Sequence, residues 1–276
     1  DRVDHTVNKN DGLYPSIALD AQGVVHISYY NDTDGTLMYA NNASGDWVTA
    51  LVDGGVNDVG EFSAIAIDSH GKVHIAYHDR THENLKYATN AGGSWYRITV
   101  DDTDTVGYYI DLALDANDKA HISYAETGFV GDLKYATNAG GSWTDQTVDA
   151  SFYAGQYSSI AVDANGKVHM TCYEGTNTEL HYVNNVEGYW AVSIVDAAGS
   201  VGSHTSIALD SQGSPHVSYY DQTNQALKYA RYHQGFWESY QVDGGGSGYF
   251  TNIALDPTDH PVIVYQGYDK TGSLEL

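Results

Sequence analysis

The sequence predicts an all-β fold, a six-bladed β-propeller with four antiparallel strands in each blade. The composition is rich in Tyr (24) and Gly (29) and poor in Pro (4), which is typical of strands and turns. One motif recurs six times, at spacings of 46 to 48 residues. This period matches the repeat of about 40–50 residues that builds a four-stranded propeller blade.

Each repeat divides into the same four elements. The first two form a hairpin, seen in the first repeat as "SIALDAQGVVHISYYND" (16–32), in which apolar and polar positions alternate. A third strand of the form "LMYAN" or "LKYAT" follows, and a Gly-rich turn then leads through a Trp into a fourth strand ending near "VD". The hairpins are anchored by six equivalent aspartates: Asp20, Asp68, Asp115, Asp163, Asp210 and Asp256.

The hairpin contains an Asp and a His six residues apart, a pair that invites comparison with a catalytic or metal site. The Asp is present in all six repeats and the His in five, with Val262 in the sixth. Histidines on separate hairpins cannot converge on one metal, so we expect each pair to form a buried structural hydrogen bond.

The two ends of the sequence complement each other. The sixth repeat stops at "SLEL", before its fourth strand, and the first eight residues, "DRVDHTVN", resemble the end of a fourth strand. We therefore expect the N-terminal strand to complete the last blade and close the ring, which leaves no open sheet edge. The predicted domain is a single propeller over residues 1–276.

The turn before the Trp carries a family resemblance. The segments "ATNAGGSW" (88–95) and "ATNAGGSW" (136–143) resemble the Asp-box of the BNR repeat family, S-x-D-x-G-x-T-W, with Asn90 and Asn138 in the place of the Asp. The resemblance implies a sialidase-like propeller in which this box is a structural turn, far from the active site. Sialidase activity itself is not expected, because it needs three arginines near the axis and only Arg80 lies on a suitable loop.

Charge excludes several classes of partner. The formal net charge is −24, from 36 acidic and 12 basic side chains. Nucleic acids and anionic membrane surfaces are bound through Lys and Arg, so neither is expected as a partner. No apolar run approaches the roughly 20 residues that span a bilayer. We expect a monomer, located outside the cell or on its surface, that has lost any signal peptide.

Two sets of repeated residues are candidates for ligand binding. Six residues before each anchor stands an aromatic or imidazole ring: Tyr14, Phe62, Tyr109, Tyr157, His204 and Phe250. The second set ends the second strand of most hairpins and is acidic: Asp79, Glu126, Glu174 and Asp221. Rings stack on the CH faces of sugars, and carboxylates accept hydrogen bonds from hydroxyls, so the two sets suit a glycan or another small polar ligand. The alternative is structural: the rings fill the axis of the propeller and the acids cap strand ends in water.

Departures from the repeat point to an alternative, a carbohydrate-cleaving enzyme. The loop "YHDRTHENL" (77–85) concentrates charged and imidazole side chains, and one inner strand carries an Asp where the others have a small residue. Such residues could supply paired carboxylates for a hydrolase or a base for a lyase. The candidate catalytic residues are Asp111, Glu126, Glu174, His78 and Arg80.

The regularity of the repeat favours binding. An enzyme needs one asymmetric site, whereas a lectin can repeat its site in several blades. We therefore predict a non-catalytic binding module for glycans at the axial face, with a carbohydrate-active enzyme and a structural or protein-interaction propeller as alternatives. No cofactor is required, although the Asp-rich loops "NDTDG" (31–35) and "DDTDT" (101–105) could hold Ca²⁺ through oxygen ligands.

Overall fold

A computed structural model describes residues 11–127, 131–268 and 274–275, and the regular structure of these residues is entirely β. The strands form six antiparallel sheets, in which strands that follow one another along the chain are hydrogen-bonded neighbours. Sheets 1 to 5 have four strands, as predicted for a blade, and three strands of sheet 6 are described. Among the described residues, no helix is long and apolar enough to cross a membrane.

The sheets are numbered here in chain order. Sheets 1 to 3 consist of β1 (Asp11–Leu19), β2 (Val25–Asn31), β3 (Thr36–Asn41), β4 (Val48–Asp53), β5 (Val59–Ile67), β6 (Val73–Asp79), β7 (Asn84–Thr89), β8 (Tyr96–Asp101), β9 (Val106–Leu114), β10 (Ala120–Glu126), β11 (Leu133–Thr137) and β12 (Thr144–Asp149). Sheets 4 to 6 consist of β13 (Gln156–Val162), β14 (Val168–Glu174), β15 (Glu179–Asn184), β16 (Ala191–Asp196), β17 (Val201–Leu209), β18 (Pro215–Asp221), β19 (Ala226–His233), β20 (Phe236–Asp243), β21 (Tyr249–Leu255), β22 (Pro261–Tyr268) and β23 (Leu274–Glu275).

The contacts within the chain divide it into two compact units. Of the described residues, unit 1 contains 11–127 and 135–146, and so sheets 1 and 2 and most of sheet 3. Unit 2 contains 131–134 and 147–268, with 274–275, and so sheets 4 to 6. The first eight residues lie outside the described residues, so closure of the ring and the single domain over 1–276 stay predictions.

The repeated His of the hairpin has a closer partner than the expected Asp. In sheet 1, Nδ1 of His26 lies 2.6 Å from the hydroxyl of Tyr39, whereas its Nε2 is 3.4 Å from Asp20. Asp20 instead accepts hydrogen bonds from two backbone N–H groups of the turn, at 2.9 and 2.8 Å. The His–Tyr contact recurs in His74–Tyr87, His121–Tyr135, His169–Tyr182 and His216–Tyr229. The His therefore chiefly ties the second strand to the third, while the Asp shapes the turn.

The repeated Trp packs between neighbouring sheets. Trp95 of sheet 2 meets Tyr39 of sheet 1 edge-on, with 5.6 Å between the ring centroids. Trp237 of sheet 5 meets Tyr182 of sheet 4 in the same way, at 5.1 Å. Each of these Tyr side chains thus joins the His of its own sheet to the Trp of the next. Edge-to-face pairs contribute about 0.5–1.5 kcal/mol beyond area burial, so they help to hold adjacent sheets together.

Adjacent sheets are also joined by an Asp at the end of the fourth strand, whose carboxylate is largely removed from water. Asp53 of sheet 1 accepts hydrogen bonds from the hydroxyl of Tyr77 at 2.7 Å and from Nζ of Lys86 at 2.6 Å, both on sheet 2. An equivalent set in unit 2 consists of Asp196, Tyr219 and Lys228. A buried carboxylate needs such partners, because an unpaired buried charge is strongly destabilising.

One of these junctions departs from the pattern. Asp149 of β12 pairs at 2.8 Å with His181, which stands where sheets 2, 3 and 5 have Lys. The place of the Tyr is taken by Cys172, which is fully buried. Although burial acts against the charged ring, the hydrogen bond with Asp149 raises the pKa of His181. A titratable group therefore replaces a permanent charge at this junction.

Two of the tight hairpin turns contain an Asp where four others have Gly. Asp118 and Asp259 keep the left-handed backbone of the turn, with φ of 59° and 64°. The carboxylate of Asp118 accepts hydrogen bonds from the backbone N–H and the hydroxyl of Ser69 in the preceding sheet, at 2.8 and 2.7 Å. Asp259 binds Ser211 in the same way, at 2.9 and 2.6 Å. We call these two contacts the Ser–Asp clasps.

Candidate functional site

The six rings predicted for ligand binding share an unusual backbone conformation. Every one of them lies in the left-handed region, with φ between 48° and 54°. The register of the inner strand shifts next to the ring in all six sheets, which is the mark of a β-bulge. For an L-residue this backbone costs roughly 1–2 kcal/mol. Bulges that re-aim a side chain, and residues held under strain, concentrate at functional sites.

In sheets 2, 5 and 6, the Gly two residues before the ring allows the bulged strand to approach the neighbouring sheet. Gly60 has φ of 117°, and a Cβ built there would lie 2.8 Å from the Cα of Leu37 in the preceding sheet. Gly202 has φ of 106° and makes the same approach to Leu180, also at 2.8 Å. Only Gly tolerates both this backbone and this contact. The pattern Gly-x-aromatic is thus the sequence signal for the bulge.

In unit 1 the rings form a row that we call aromatic arc 1, consisting of Tyr14, Phe62 and Tyr109. The ring centroids of Tyr14 and Phe62 are 4.5 Å apart, and those of Phe62 and Tyr109 are 5.6 Å apart. Tyr14 keeps 41% of its surface exposed. Burial and the nearby charge of Glu61 raise the pKa of Tyr14, so its hydroxyl remains a neutral donor at pH 7.

A charged rim borders arc 1. Nη1 of Arg80 lies 3.5 Å from Asp58 and 3.4 Å from Glu61, and the Arg80 side chain is 54% exposed. Asp58 also accepts a hydrogen bond from the hydroxyl of Tyr30 at 2.6 Å. Burial raises the pKa of Glu61 against the opposing effect of Arg80. The predicted Arg80 therefore stands beside arc 1, shared between two carboxylates.

Phe62 also contacts an imidazole and a phenol that share one carboxylate. The ring of His78 is 6.3 Å from that of Phe62 between centroids, and the ring of Tyr108 is 5.4 Å away. Nδ1 of His78 lies 3.0 Å from the carbonyl oxygen of Val106, and its Nε2 lies 3.5 Å from Glu83. Tyr108 donates a hydrogen bond to Glu83 at 2.7 Å. Burial lowers the pKa of His78 and, with Glu83, raises the pKa of Tyr108 to about 12, so both groups are neutral at pH 7.

In unit 2 the rings form aromatic arc 2, consisting of Tyr157, His204 and Phe250. His204 lies between the other two, with centroid distances of 4.4 Å to Tyr157 and 4.5 Å to Phe250. Tyr249 and Tyr220 stand further from the imidazole, at 5.9 and 6.5 Å. Burial lowers the pKa of His204 to about 4, so the imidazole is neutral at pH 7. Phe250 is 68% exposed and gives the arc an open apolar face.

The acidic set is placed differently from the rings. Asp79, Glu174 and Asp221 are buried, with 3%, 1% and 2% of their surface exposed, and Glu126 is partly buried. Each of the three buried carboxylates accepts a hydrogen bond from the backbone of the turn that follows. The donors are the N–H groups of His82, Thr176 and Asn224, at 3.2, 2.8 and 2.9 Å. These acids therefore hold the turns, and their contact with a ligand stays a prediction.

The residues of the enzyme alternative are divided between the two units. Asp111, Glu126, His78 and Arg80 belong to unit 1, and Glu174 belongs to unit 2. One oxygen of the Asp111 carboxylate accepts a hydrogen bond from the backbone N–H of the next residue at 2.8 Å. A catalytic role for these five residues stays a prediction.

The other described arginines are committed to structural contacts. Arg97 of β8 lies 3.6 Å from Asp53, and Arg231 of β19 pairs with Glu238 at 2.8 Å. Within the part of the chain that the structure describes, Arg80 is therefore the arginine found beside an arc.

Two groups of described residues bring three potential metal ligands within 4.8 Å of one another. They are Asp68, His70 and Asp118, and Glu174, Glu179 and His181. Both groups already serve the structure, since Asp118 belongs to a Ser–Asp clasp and Glu174 caps a turn. Calcium binding by the loops 31–35 and 101–105 stays a prediction.

Four polar residues around arc 1 were not predicted from the sequence: Tyr30, Asp58, Glu61 and Tyr108. The signal for two of them is the middle position of the Gly-x-aromatic pattern, where Glu61 and Tyr108 stand. That position pairs with the second strand, as Glu61 does with His78, so its side chain borders the bulge.

No family model and no curated protein matches the sequence. Several solved structures are similar in fold. An ulvan lyase of polysaccharide lyase family PL25, bound to -[GlcA(1-4)Rha3S]-, is 12% identical over 91% of this chain and 75% of its own, with a TM-score of 0.63. A mutant Aleuria aurantia lectin in complex with Fucα1-6GlcNAc is 12% identical over 95% of this chain and 91% of its own, with a TM-score of 0.59. The NanB sialidase from Streptococcus pneumoniae is 12% identical over 97% of this chain and 67% of its own, with a TM-score of 0.61. With the five four-stranded sheets and the three described strands of the sixth, these likenesses confirm the predicted fold class, an all-β propeller of about six blades.

Proposed function

We propose that the chain is a non-catalytic carbohydrate-binding protein in which aromatic arcs 1 and 2 contact the glycan. The observation that carries this proposal is the left-handed backbone of all six ring residues. A strain of roughly 1–2 kcal/mol at each position is repeated in every sheet, although Gly or Asn would relieve it. Strain of this kind persists where a side chain must be aimed for function.

The arcs have the chemistry that sugar recognition needs. Exposed ring faces, such as those of Tyr14 and Phe250, can stack on the CH face of a pyranose. The Tyr14 hydroxyl and the His204 imidazole add neutral hydrogen-bonding groups beside these faces. Apolar rings with a few placed polar groups are the usual composition of small-ligand sites.

The similar solved structures support the same class of ligand. The lectin and the ulvan lyase were both solved with carbohydrate bound. Binding is favoured over cleavage because the ring position recurs in all six sheets, as in a repeated binding surface. Of the candidate catalytic acids, Glu174 holds a turn and Asp111 accepts a backbone hydrogen bond.

A glycan array probed with the purified chain tests this proposal. The wild-type protein is expected to bind carbohydrate, and Tyr14→Gly and Phe250→Gly are expected to weaken the signal. Val264→Ala is the matched control, because Val264 on β22 is an apolar side chain with a similar exposure of 64%. An array on which the wild-type protein binds nothing would reject the proposal.

The rim of arc 1 favours a second candidate function, cleavage of an acidic polysaccharide by β-elimination. Arg80 could neutralise a uronate carboxylate, and Tyr108 could remove the C5 proton after passing its own proton to Glu83. The neutral Tyr14 could donate a proton to the leaving oxygen as the C4–O bond breaks. Incubation with polyuronates, followed by ultraviolet absorbance, detects the unsaturated product. New reducing ends without that absorbance would instead indicate a hydrolase using candidate acids such as Asp111 and Glu126.

The remaining parts of the proposal concern context. We propose that residues 1–276 form a single, monomeric domain. We propose further that it works outside the cell and requires no cofactor. We interpret the Gly-rich turns before the Trp as degenerate Asp-boxes. The alternative is a structural or protein-interaction propeller. A chain that binds no glycan but captures one protein partner in a reproducible ratio would support that alternative.

A further inference from the structure

His204 differs from the other buried and half-buried histidines of the described chain. The hairpin histidines contact Tyr hydroxyls, as His26 does with Tyr39, and His181 pairs with Asp149. Among the residues that the structure describes, none lies within hydrogen-bond distance of a ring nitrogen of His204, and burial alone accounts for its lowered pKa. Neither ring nitrogen of His204 is among the fully buried polar atoms of the described chain, so both nitrogens, which lack a partner there, remain within reach of a ligand.

Packing does not explain an imidazole at this position. The equivalent residue in the middle of arc 1 is Phe62, whose ring makes the same kind of contact with its two neighbours. A Phe at position 204 would fill the gap between Tyr157 and Phe250 without desolvating polar atoms. An imidazole is thus less favourable here than a Phe ring for packing alone, and its nitrogens, without a partner among the described residues, are free to bind a ligand.

We propose that His204 is a specificity-determining residue of arc 2, which forms hydrogen bonds with a hydroxyl of a neutral sugar held between Tyr157 and Phe250. This inference rests on the carbohydrate binding proposed above and adds the class of ligand. A neutral imidazole offers one donor and one acceptor, and a hydroxyl can satisfy either.

The surroundings of arc 2 favour a neutral ligand over an anionic one. The rim of arc 1 contains Arg80, whereas the groups that contact His204 are the uncharged rings of Tyr157, Tyr220, Tyr249 and Phe250. The net charge of −24 further opposes a uronate or a sulfated sugar. Arc 2 therefore selects for hydroxyl groups and against carboxylates and sulfates.

Nuclear magnetic resonance of the whole chain tests this inference directly. The imidazole nitrogen signals of His204 are identified by their loss in His204→Phe, and three neutral probes are added at pH 7: xylohexaose, laminarihexaose and mannohexaose. At least one of them is expected to shift the His204 signals, and hexagalacturonate is expected to leave them in place. If none of the neutral probes moves these signals, or if hexagalacturonate does, the inference is wrong.

Affinity measurements on variants provide the second readout, followed at the backbone amide of Ser203 so that arc 2 alone is reported. His204→Phe keeps a ring of similar size and is expected to weaken binding of the neutral probe about tenfold. His204→Gln is expected to recover part of the loss, because its amide also donates and accepts. The matched control is His260→Phe in an exposed turn, which should bind as the wild type does.

The two proposals fail in distinguishable ways. If His204→Phe binds within twofold of the wild type, the role of His204 is refuted while carbohydrate binding stands. If the glycan array also shows no binding by the wild-type protein, the proposed function falls as well.

Discussion

Substitutions of Phe250 separate the strain of its backbone from the packing of its ring. Phe250 has φ of 49° and is 68% exposed. Phe250→Ala removes the ring but leaves an L-residue in the left-handed region. Phe250→Gly removes the same ring and also relieves the backbone. Comparing the two variants therefore isolates the energy of the backbone.

The magnitudes follow from the exposure and the conformation. About a third of a ring of roughly 200 Å² is covered, so either variant loses about 1.6 kcal/mol of apolar burial. Compared with the Ala variant, the Gly variant gains roughly 1–2 kcal/mol of stability because its left-handed backbone is not strained. It loses about 0.5–1 kcal/mol because unfolded Gly has more conformational freedom to give up on folding. We expect Phe250→Gly to be more stable than Phe250→Ala by about 0.5–1 kcal/mol.

Urea unfolding followed by tryptophan fluorescence measures this difference. Val264 on β22 is the control, since it is 64% exposed and has no positive φ. There the order is expected to reverse, with Val264→Ala more stable than Val264→Gly. If Phe250→Ala equals or exceeds Phe250→Gly in stability, the left-handed strain does not exist and the observation behind the proposed function is lost.

Three further predictions concern other parts of the fold. Gly60→Ala is expected to lower the free energy of unfolding in urea by ~2 kcal/mol more than Gly23→Ala does, which is the usual cost of overpacking. The reason is that a Cβ at position 60 would lie 2.8 Å from backbone, whereas a Cβ at position 23 would meet nothing within 4 Å. Equal losses of stability in the two variants would contradict the close approach. The pKa of His181 is raised in the folded protein, so its pairing with Asp149 contributes its full stabilisation below pH 6.5, and this contribution is lost as the pH rises through the folded pKa. His181→Lys should therefore abolish the loss of stability on the alkaline side of a stability–pH profile, and an unchanged profile would refute this. The pKa of His204 is lowered from 6.5 to about 4, so the free energy of unfolding is at its full value above pH 6.5 and falls by up to about 3 kcal/mol as the pH drops towards 4. His204→Phe should make this fall shallower, and an equal slope in both proteins would count against the prediction.

The repeat makes the positions of the strands and of the rings predictable, but not the direction of every side chain. Tyr14 and Phe62 stand at the same distance from their anchors, so one assignment extends to all six sheets. Asp79 was expected at an open strand end, yet it turns back to hold the next loop. A period of two along a strand indicates which face a residue occupies, and this rule no longer applies where the strand ends.

The backbone of the rings could not be derived from residue types alone. Aromatic residues favour the β region, so nothing about Phe250 itself predicts a φ of 49°. The information lies in the Gly two residues earlier, and its meaning depends on a close approach to another sheet. Asp20 was predicted as a partner of His26 and lies 3.4 Å from it, but the closer Tyr39 was missed, as was Asp149 beside His181. The reason is related: a Tyr or an Asp on a neighbouring strand is near in space but distant in the sequence.

The Ser–Asp clasps occur in the third and the sixth repeats, each binding the repeat before it. The two repeats that supply the serines also share the turn sequences "DSHG" and "DSQG". A correspondence between repeats three apart is the trace that duplication of a three-repeat ancestor would leave. In such a history, Phe62 and His204 descend from the same ancestral position, and the two arcs are duplicated copies of one surface. They now differ because the middle ring is a hydrocarbon in arc 1 and an imidazole in arc 2.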